Sequence, residues 1–149
     1  MSFATRALSY LDRLSAPTDV HAHCDIPCGV YDPEQARIEA ESAYKIIGKY
    51  QESGDELFRQ RCVLVKEERT ELAKHHISVL WSDHFKPEHL EQFPNLHDVF
   101  WRALKQCSTV KRSMDAADAQ QLLDLIDEID EMWKKTGGPE TTRKSGRPG

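Results

Sequence analysis

A histidine and two cysteines lie close together near the start of the chain, within residues 21–33, which read HAHCDIPCGVYDP. Cys24 and Cys28 are separated by three residues, and His23 directly precedes the first of them. The stretch has neither helical nor strand periodicity, so packing alone does not account for it. Because thiolates and imidazoles are strong ligands of transition metals, these three residues are the first candidates for chemistry.

Two ordinary explanations of the cysteine pair fit poorly. The spacing C-x3-C differs from the C-x2-C of zinc ribbons and thioredoxin-like sites, and a structural zinc site needs four ligands. Cys62 and Cys107 stand alone at positions of apolar repeats and are interpreted as small core residues. A disulfide between Cys24 and Cys28 would close a very small loop and would add little stability.

A cut before His23 would give the stretch a different chemistry. The new α-amine would be a nitrogen donor, and a strongly binding divalent metal can deprotonate the backbone amide of Cys24. Together with the thiolates of Cys24 and Cys28, these nitrogens form a planar set that suits Ni(II) or Cu(II) rather than magnesium or zinc. The imidazole of His23 then remains for the axial position. Because anionic donors stabilise a higher oxidation state, such a site is suited to redox chemistry.

Residues 1–22 differ from the rest of the chain. They carry apolar residues at helical spacing between charged ones, unlike the unbroken apolar core of a secretory signal. Val20 and Ala22 occupy the −3 and −1 positions relative to His23, where a signal-peptidase-like protease accepts small residues. Two interpretations stay open: an ordinary N-terminal helix and loop, or a leader that is removed to expose His23.

Residues 34–136 predict an all-α fold, an antiparallel bundle of four helices, because apolar residues recur at spacings of three and four. Asp32 is the expected N-cap of the first helix, with Pro33 at its first position. The expected buried positions are, helix by helix, Ala36, Ala40, Ala43, Ile47 and Tyr50; Phe58, Cys62, Val65, Arg69, Leu72, His76 and Val79; Leu96, Phe100, Ala103, Cys107 and Val110; and Ala119, Leu122, Ile126, Ile129 and Trp133.

Two polar residues interrupt the apolar repeat of the second helix. Arg69 and His76 stand where leucine would be expected, and a buried guanidinium without a partner is very costly. Glu39 borders the repeat of the first helix, so an interhelical Glu39–Arg69 pair is predicted. The alternative is that both side chains reach solvent at a helix edge. His76 is interpreted as a hydrogen-bonded histidine of the bundle.

Composition excludes several classes of function. The 149-residue chain carries a net charge of −5, which argues against a nucleic-acid partner. No apolar run is long enough for a membrane span, so no membrane partner is expected. The absence of an export signal indicates a cytoplasmic location. An anionic substrate would need a local positive patch, because the whole molecule repels it.

Four segments together carry a family resemblance: HCDIPCGVYDP, QARIEAES, ELAKHHISVLWSD and FKP. They resemble the nickel-containing superoxide dismutase family, in the form of a precursor with a leader. The resemblance implies an antioxidant oxidoreductase that disproportionates superoxide to oxygen and hydrogen peroxide by a Ni(II)/Ni(III) cycle, with one nickel ion per subunit. It also implies a four-helix-bundle subunit, assembly into a homohexamer and a processing peptidase that removes the leader.

The same resemblance assigns the ligands. It implies that His23 provides its amine and imidazole, Cys24 its amide nitrogen and sulfur, and Cys28 its sulfur. Glu39 and Arg69 fall where the family holds the imidazole by hydrogen bonds, which agrees with the pair predicted from the apolar repeats.

Four other residues are implied around the open face of the metal. Asp25 and Tyr31 match residues that shape the loop and gate this face, and Lys86 matches a lysine that helps to draw in the anion. His84 departs from the pattern, because similar sequences carry a second gating tyrosine at this position. An imidazole can still donate a hydrogen bond to water or peroxide, and it titrates near neutral pH. We therefore expect a modified pH dependence of activity.

The expected organisation has four parts: a leader (residues 1–22), the N-terminal hook that binds nickel (residues 23–33), the helical bundle (residues 34–136) and a disordered polar tail (residues 137–149). Two other functions remain open from the sequence. The hook could serve a nickel or copper carrier without catalysis, or the chain could be a helical interaction protein with incidental cysteines. Activity with bound nickel separates the enzyme from the first, and stoichiometric nickel excludes the second.

Overall fold

A computed structural model describes residues 31–138. These residues form the helices α1 (Glu34–Glu52), α2 (Glu56–Val79), α3 (His89–Gln92), α4 (Leu96–Arg112) and α5 (Ala116–Lys135), with a π-helical turn at Leu80–His84. Residues 31–138 contain no strand, and the all-α prediction is confirmed. Between residues 31 and 138, no helix has the length and apolar character that a membrane crossing requires.

The four long helices form an antiparallel bundle. α1 packs against α2 and α5, and α4 packs against the same two helices, so the four lie in a ring around one core. The π-helical turn and the short α3 make up most of the link between α2 and α4. This link and the end of α5 meet at one end of the bundle. There the ring of His84 contacts those of Phe85, His89 and Trp133.

Aspartates cap the starts of three long helices. The carboxylate of Asp32 accepts the Glu34 N–H at 2.9 Å, but α1 begins one residue later than predicted, so its N-cap is Pro33 rather than Asp32. Asp55 accepts from the N–H groups of Leu57 and Phe58 at the start of α2. Asp115 does the same for Ala117 at the start of α5. Each bond satisfies a backbone donor that the helix itself leaves unpaired.

The predicted core is confirmed for three of the four long helices. Every position expected to be buried in α4 and α5 is buried, and so are the three alanines and Ile47 of α1. Tyr50 is half-buried instead. Cys62 and Cys107 are buried free thiols, as their interpretation as core residues requires.

The predicted core positions of α2 were confirmed at Cys62 and Val79 but wrong at Phe58 and from Val65 to His76. The buried residues that follow Cys62 are Lys66, Thr70, Ala73, Ile77 and Val79. Phe58 is 42% exposed, and Val65, Arg69, Leu72 and His76 lie at the edges of the buried face. Arg69 and His76 therefore border the core of the bundle rather than occupy it.

The reason for the error is a lysine that the apolar pattern treats as a surface residue. Lys66 is 1% exposed, and its ammonium donates to the carbonyls of Val110, Lys111 and Ser113 at 2.7, 2.6 and 2.9 Å. The carbonyls of Val110 and Lys111 belong to the last turn of α4, and that of Ser113 directly follows it. A helix leaves the carbonyls of its last turn short of backbone donors. The hydroxyl of Thr70 donates to the Lys66 carbonyl at 2.7 Å. Polar groups that are satisfied inside the bundle can occupy core positions.

The proposed leader and most of the N-terminal hook lie outside the described residues, as does the tail after residue 138. The division of the chain into these parts therefore stays a prediction.

Candidate metal centre

The predicted site residues divide into two groups. Those within the described range are Tyr31, Glu39, Arg69, His84 and Lys86. Those outside the described residues are His23, Cys24, Asp25 and Cys28, and their roles stay predictions.

Glu39 and Arg69 form the predicted bridge between α1 and α2. Arg69 Nη1 lies 3.2 Å from Glu39 Oε2, and Arg69 Nη2 lies 2.7 Å from Glu68 Oε1. The hydrogen bond to Glu68, followed by the charge of Glu39, raises the pKa of Arg69. The Glu39 side chain is 17% exposed and the Arg69 side chain 31%, so the pair lies at the edge of the core. A fixed positive group thus holds one oxygen of the Glu39 carboxylate.

One nitrogen of Arg69 is left over from this arrangement. Its Nε is buried and has no hydrogen-bond partner among residues 31–138. Buried donors without partners are rare in folded proteins because each costs the free energy of desolvation. Arg69 Nε is therefore available to donate a hydrogen bond to a residue outside the described range.

Tyr31 and His84 meet at one end of the bundle, as the resemblance implies. Their ring centroids are 6.1 Å apart in an edge-on arrangement. Tyr31 is 9% exposed and belongs to the core cluster. Three further rings surround His84: Phe85 with a centroid distance of 4.9 Å, His89 at 6.2 Å and Trp133 at 6.3 Å. The half-buried imidazole of His84 thus lies among aromatic rings, next to Tyr31, the predicted gating tyrosine. We call Tyr31 and His84 together the aromatic wall.

The surroundings of His84 disfavour its positive charge. Burial, and then electrostatic interactions with His89 and Lys86, lower the pKa of His84 below its usual 6.5. At neutral pH the imidazole is therefore uncharged. Lys86 itself is exposed, and its backbone N–H donates to His89 Nδ1 at 3.2 Å. This end of the bundle accordingly combines one neutral imidazole with one solvated ammonium group.

Sequence reasoning missed a direct partner of His84. Thr136, in the turn that follows α5, has its hydroxyl oxygen 3.0 Å from His84 Nε2. Trp133 was expected as a core residue, but not as a neighbour of His84. No motif or spacing links residues that lie 52 positions apart in the chain, so only the folded chain shows this contact.

The described part of the chain has no metal site of its own. Residues 31–138 contain no group of three or more histidine, cysteine or carboxylate side chains that could hold a metal. Burial raises the pKa of the Cys107 thiol to about 12, so it stays protonated and is a poor ligand. Cys62 is 6% exposed in the core. Cys24 and Cys28 stay the predicted thiolate ligands, and a set of two thiolates with nitrogen donors suits Ni(II) or Cu(II).

The chain is similar to known proteins over most of its length. The family model for nickel-containing superoxide dismutase matches residues 18–137. The chain is 52% identical over 127 residues to "Superoxide dismutase [Ni]" of Streptomyces coelicolor, which covers 85% of this chain and 97% of the relative. The corresponding protein of Streptomyces seoulensis gives the same identity and coverage. A solved native nickel superoxide dismutase is 52% identical, with a TM-score of 0.75 over 76% of this chain and 98% of its own.

Proposed function

Since the chain belongs to the nickel-containing superoxide dismutase family, we propose that its nickel ion is held by His23, Cys24 and Cys28 once the chain is cut before His23. The enzyme disproportionates superoxide to oxygen and hydrogen peroxide. The observation that carries this function is the family match over residues 18–137, because that range contains the whole N-terminal hook as well as the bundle.

The donor set fits the metal. After the cut, the hook offers an amine and an imidazole from His23, an amide nitrogen and a thiolate from Cys24, and a second thiolate from Cys28. When bound in this set, nickel supplies one-electron redox chemistry by alternating between Ni(II) and Ni(III). One nickel ion per subunit follows from one hook per chain.

Covalent geometry supports the placement of the hook. Cys28 is three residues from Tyr31 in the chain. Three residues of extended chain span at most about 11 Å. This covalent limit supports a nickel site at the end of the bundle where Tyr31 and His84 meet, rather than at its opposite end.

We assign the Glu39–Arg69 pair to the orientation of the His23 imidazole. A metal-bound imidazole usually donates its other N–H to a carboxylate, and this bond fixes the orientation of the ring. Glu39 is suited to that task, because Arg69 holds one of its oxygens at 3.2 Å. The buried Nε of Arg69 adds a donor for a backbone group of the hook.

Tyr31, Asp25 and Lys86 control access to the reaction. Superoxide is a small anion, and the chain has a net charge of −5, so attraction must be local. The exposed ammonium of Lys86 provides it at the rim. The aromatic wall of Tyr31 and His84, with Asp25 shaping the loop, excludes larger oxidants. This exclusion protects the two thiolates from stepwise oxidation.

The test uses two forms of the protein, one beginning at Met1 and one beginning at His23, both supplied with nickel. The shorter form is expected to bind one equivalent of nickel, to show a Ni(III) signal in electron spin resonance and to dismutate superoxide. A form with one extra alanine before His23 is the matched control. It should lack activity, because its His23 nitrogen is an amide. Nickel binding without activity in the shorter form would instead indicate a carrier.

We further propose that the enzyme assembles into a homohexamer, works in the cytoplasm and depends on a processing peptidase. Assembly is supported by apolar side chains left exposed near the start of α2: Leu57 is 76% exposed, Leu64 69% and Phe58 42%. Light scattering after gel filtration should give six subunits per particle. Replacing Leu57 and Leu64 by glutamate should give smaller particles with an unchanged helical content, and an unchanged particle mass would place the interface elsewhere.

A further inference from the structure

The turn after α5 folds back against the last turn of that helix. Gly137 has a φ of +80°, and the Gly138 N–H donates to the Trp133 carbonyl at 3.1 Å, closing the helix end. Gly138 lies so close to the indole of Trp133 that any Cβ at this position would overlap the ring. The residue between this turn and α5 is Thr136, so its position follows from the way the helix ends.

Thr136 lies between two possible hydrogen-bond partners. Its hydroxyl oxygen is 3.0 Å from the Trp133 carbonyl oxygen and 3.0 Å from His84 Nε2. A hydroxyl has one hydrogen to donate and two lone pairs that accept. Donation to the carbonyl three residues earlier is the usual local bond of a threonine at a helix end. The hydroxyl oxygen then accepts a hydrogen bond from His84 Nε2.

This arrangement determines the tautomer of His84. A neutral imidazole carries one N–H, so a proton on Nε2 leaves Nδ1 as an acceptor. The surroundings of the ring favour the neutral form, because Tyr31, Phe85 and Trp133 pack around it and partly bury it, and the ammonium charge of Lys86 opposes a second proton.

We propose that Thr136 is a positioning residue that holds His84 as its Nε2–H tautomer, so that Nδ1 accepts a hydrogen bond at the entrance to the metal. The statement that His84 lies at this entrance rests on the proposed function. The tautomer does not, since it depends only on contacts among residues 31–138. On this basis, Nδ1 of neutral His84 accepts a hydrogen bond from a donor such as water or peroxide, instead of donating one to it.

The experiment records imidazole nitrogen and proton resonances of the ¹⁵N-labelled full protein as isolated. The wild-type protein should show His84 with a protonated Nε2 and an unprotonated Nδ1, and an Nε2–H proton that is protected from exchange with water. Thr136→Ser keeps the hydroxyl and should keep this signal. Thr136→Val removes the acceptor and should lose the signal to exchange.

Two results would overturn the proposal. One is a His84 ring protonated at Nδ1 in the wild-type protein, which needs no variant. The other is an Nε2–H signal that survives in Thr136→Val with a helical spectrum like that of the wild type. The pH profile of superoxide dismutation gives a second readout: it should change in Thr136→Val and be restored in Thr136→Ser. If the protein does not dismutate superoxide, the proposed function fails and the resonances still decide the tautomer.

Discussion

The two halves of the bundle are built differently. In α4 and α5 the buried side chains are apolar, apart from Asp130. In α1 and α2 they include Arg37, Lys66 and Thr70. Glu39 and Arg69 lie at the edge of the core on the same two helices.

The two helix pairs also differ in the size of their buried side chains. The buried residues of α1 are mainly alanines, with Ala73 on α2, and small side chains at a contact let two helices approach closely. α4 and α5 fill the opposite side with Phe100, Leu122 and Ile126. The α1–α2 half thus carries the Glu39–Arg69 pair of the proposed site. Trp133 at the end of α5, and Thr136 after it, contact His84.

The largest contrast is expected between cysteines of the hook and a cysteine of the α4–α5 half. Cys24→Ser and Cys28→Ser should each abolish nickel-dependent activity, because each loses a thiolate ligand. Cys107→Ala should keep full activity per bound nickel and lower the free energy of unfolding by about 1 kcal/mol, the cost of a small cavity. Nickel content and activity are measured on the same samples, and loss of nickel from Cys107→Ala would contradict the comparison.

The next largest effect concerns the buried lysine that joins the two halves. Lys66→Met should lower the free energy of unfolding by about 3 kcal/mol, because three carbonyls at the end of α4 lose their donor. Lys74→Met on the same helix is the control. Lys74 makes a side-chain hydrogen bond to Ser108 at 3.3 Å, so the expected loss is below about 1 kcal/mol.

Denaturant unfolding of both lysine variants gives the two values. Equal losses of stability in Lys66→Met and Lys74→Met would show that the hydrogen bonds of Lys66 to the end of α4 do not stabilise the fold.

A matched pair of arginines compares the halves for function. Arg69 and Arg102 both lie at helix edges and both pair with two carboxylates. Arg69→Met should lower activity by roughly 10- to 100-fold, the usual effect of removing a group that orients a metal ligand. Arg102→Met, on α4, should leave activity unchanged. We would measure steady-state superoxide consumption by both variants at equal nickel content. Equal activities would show that Arg69 has no particular role in the reaction.

The smallest effect concerns pH. The pKa of His84 is lowered in the folded protein, so the unfolded chain binds a proton first as pH falls below about 6.5. Stability should therefore decrease from pH 6.5 down to the folded-state pKa, and His84→Tyr should remove this part of the slope. The same substitution should change the acid side of the activity profile. Unchanged stability and activity profiles between pH 5 and 8 would exclude His84 as a titrating group at the gate.

Much of this architecture follows from the sequence, and the exceptions have physical causes. The cores of α4 and α5 follow from their apolar repeats, because nothing polar interrupts the predicted positions. The Glu39–Arg69 pair follows from the cost of an unpaired guanidinium at the edge of a core. The core register of α2 does not follow, because Lys66 is buried by carbonyls that belong to another helix.

The partner of His84 is equally beyond sequence reasoning. Thr136 reaches it only because Gly137 and Gly138 end α5 in one particular turn. The sequence indicates that the helix stops at these glycines, but it does not indicate which distant side chain the turn contacts. Contacts of this kind depend on how whole helices are placed.

The central claim is that a freed amine at His23 joins two thiolates around nickel, and mass spectrometry of protein purified from its native cells tests it most directly. Intact-mass and metal measurements on active material should give a chain beginning at His23 with one nickel ion per subunit. Active material that still begins at Met1, or that contains a different metal in place of nickel, would contradict the account.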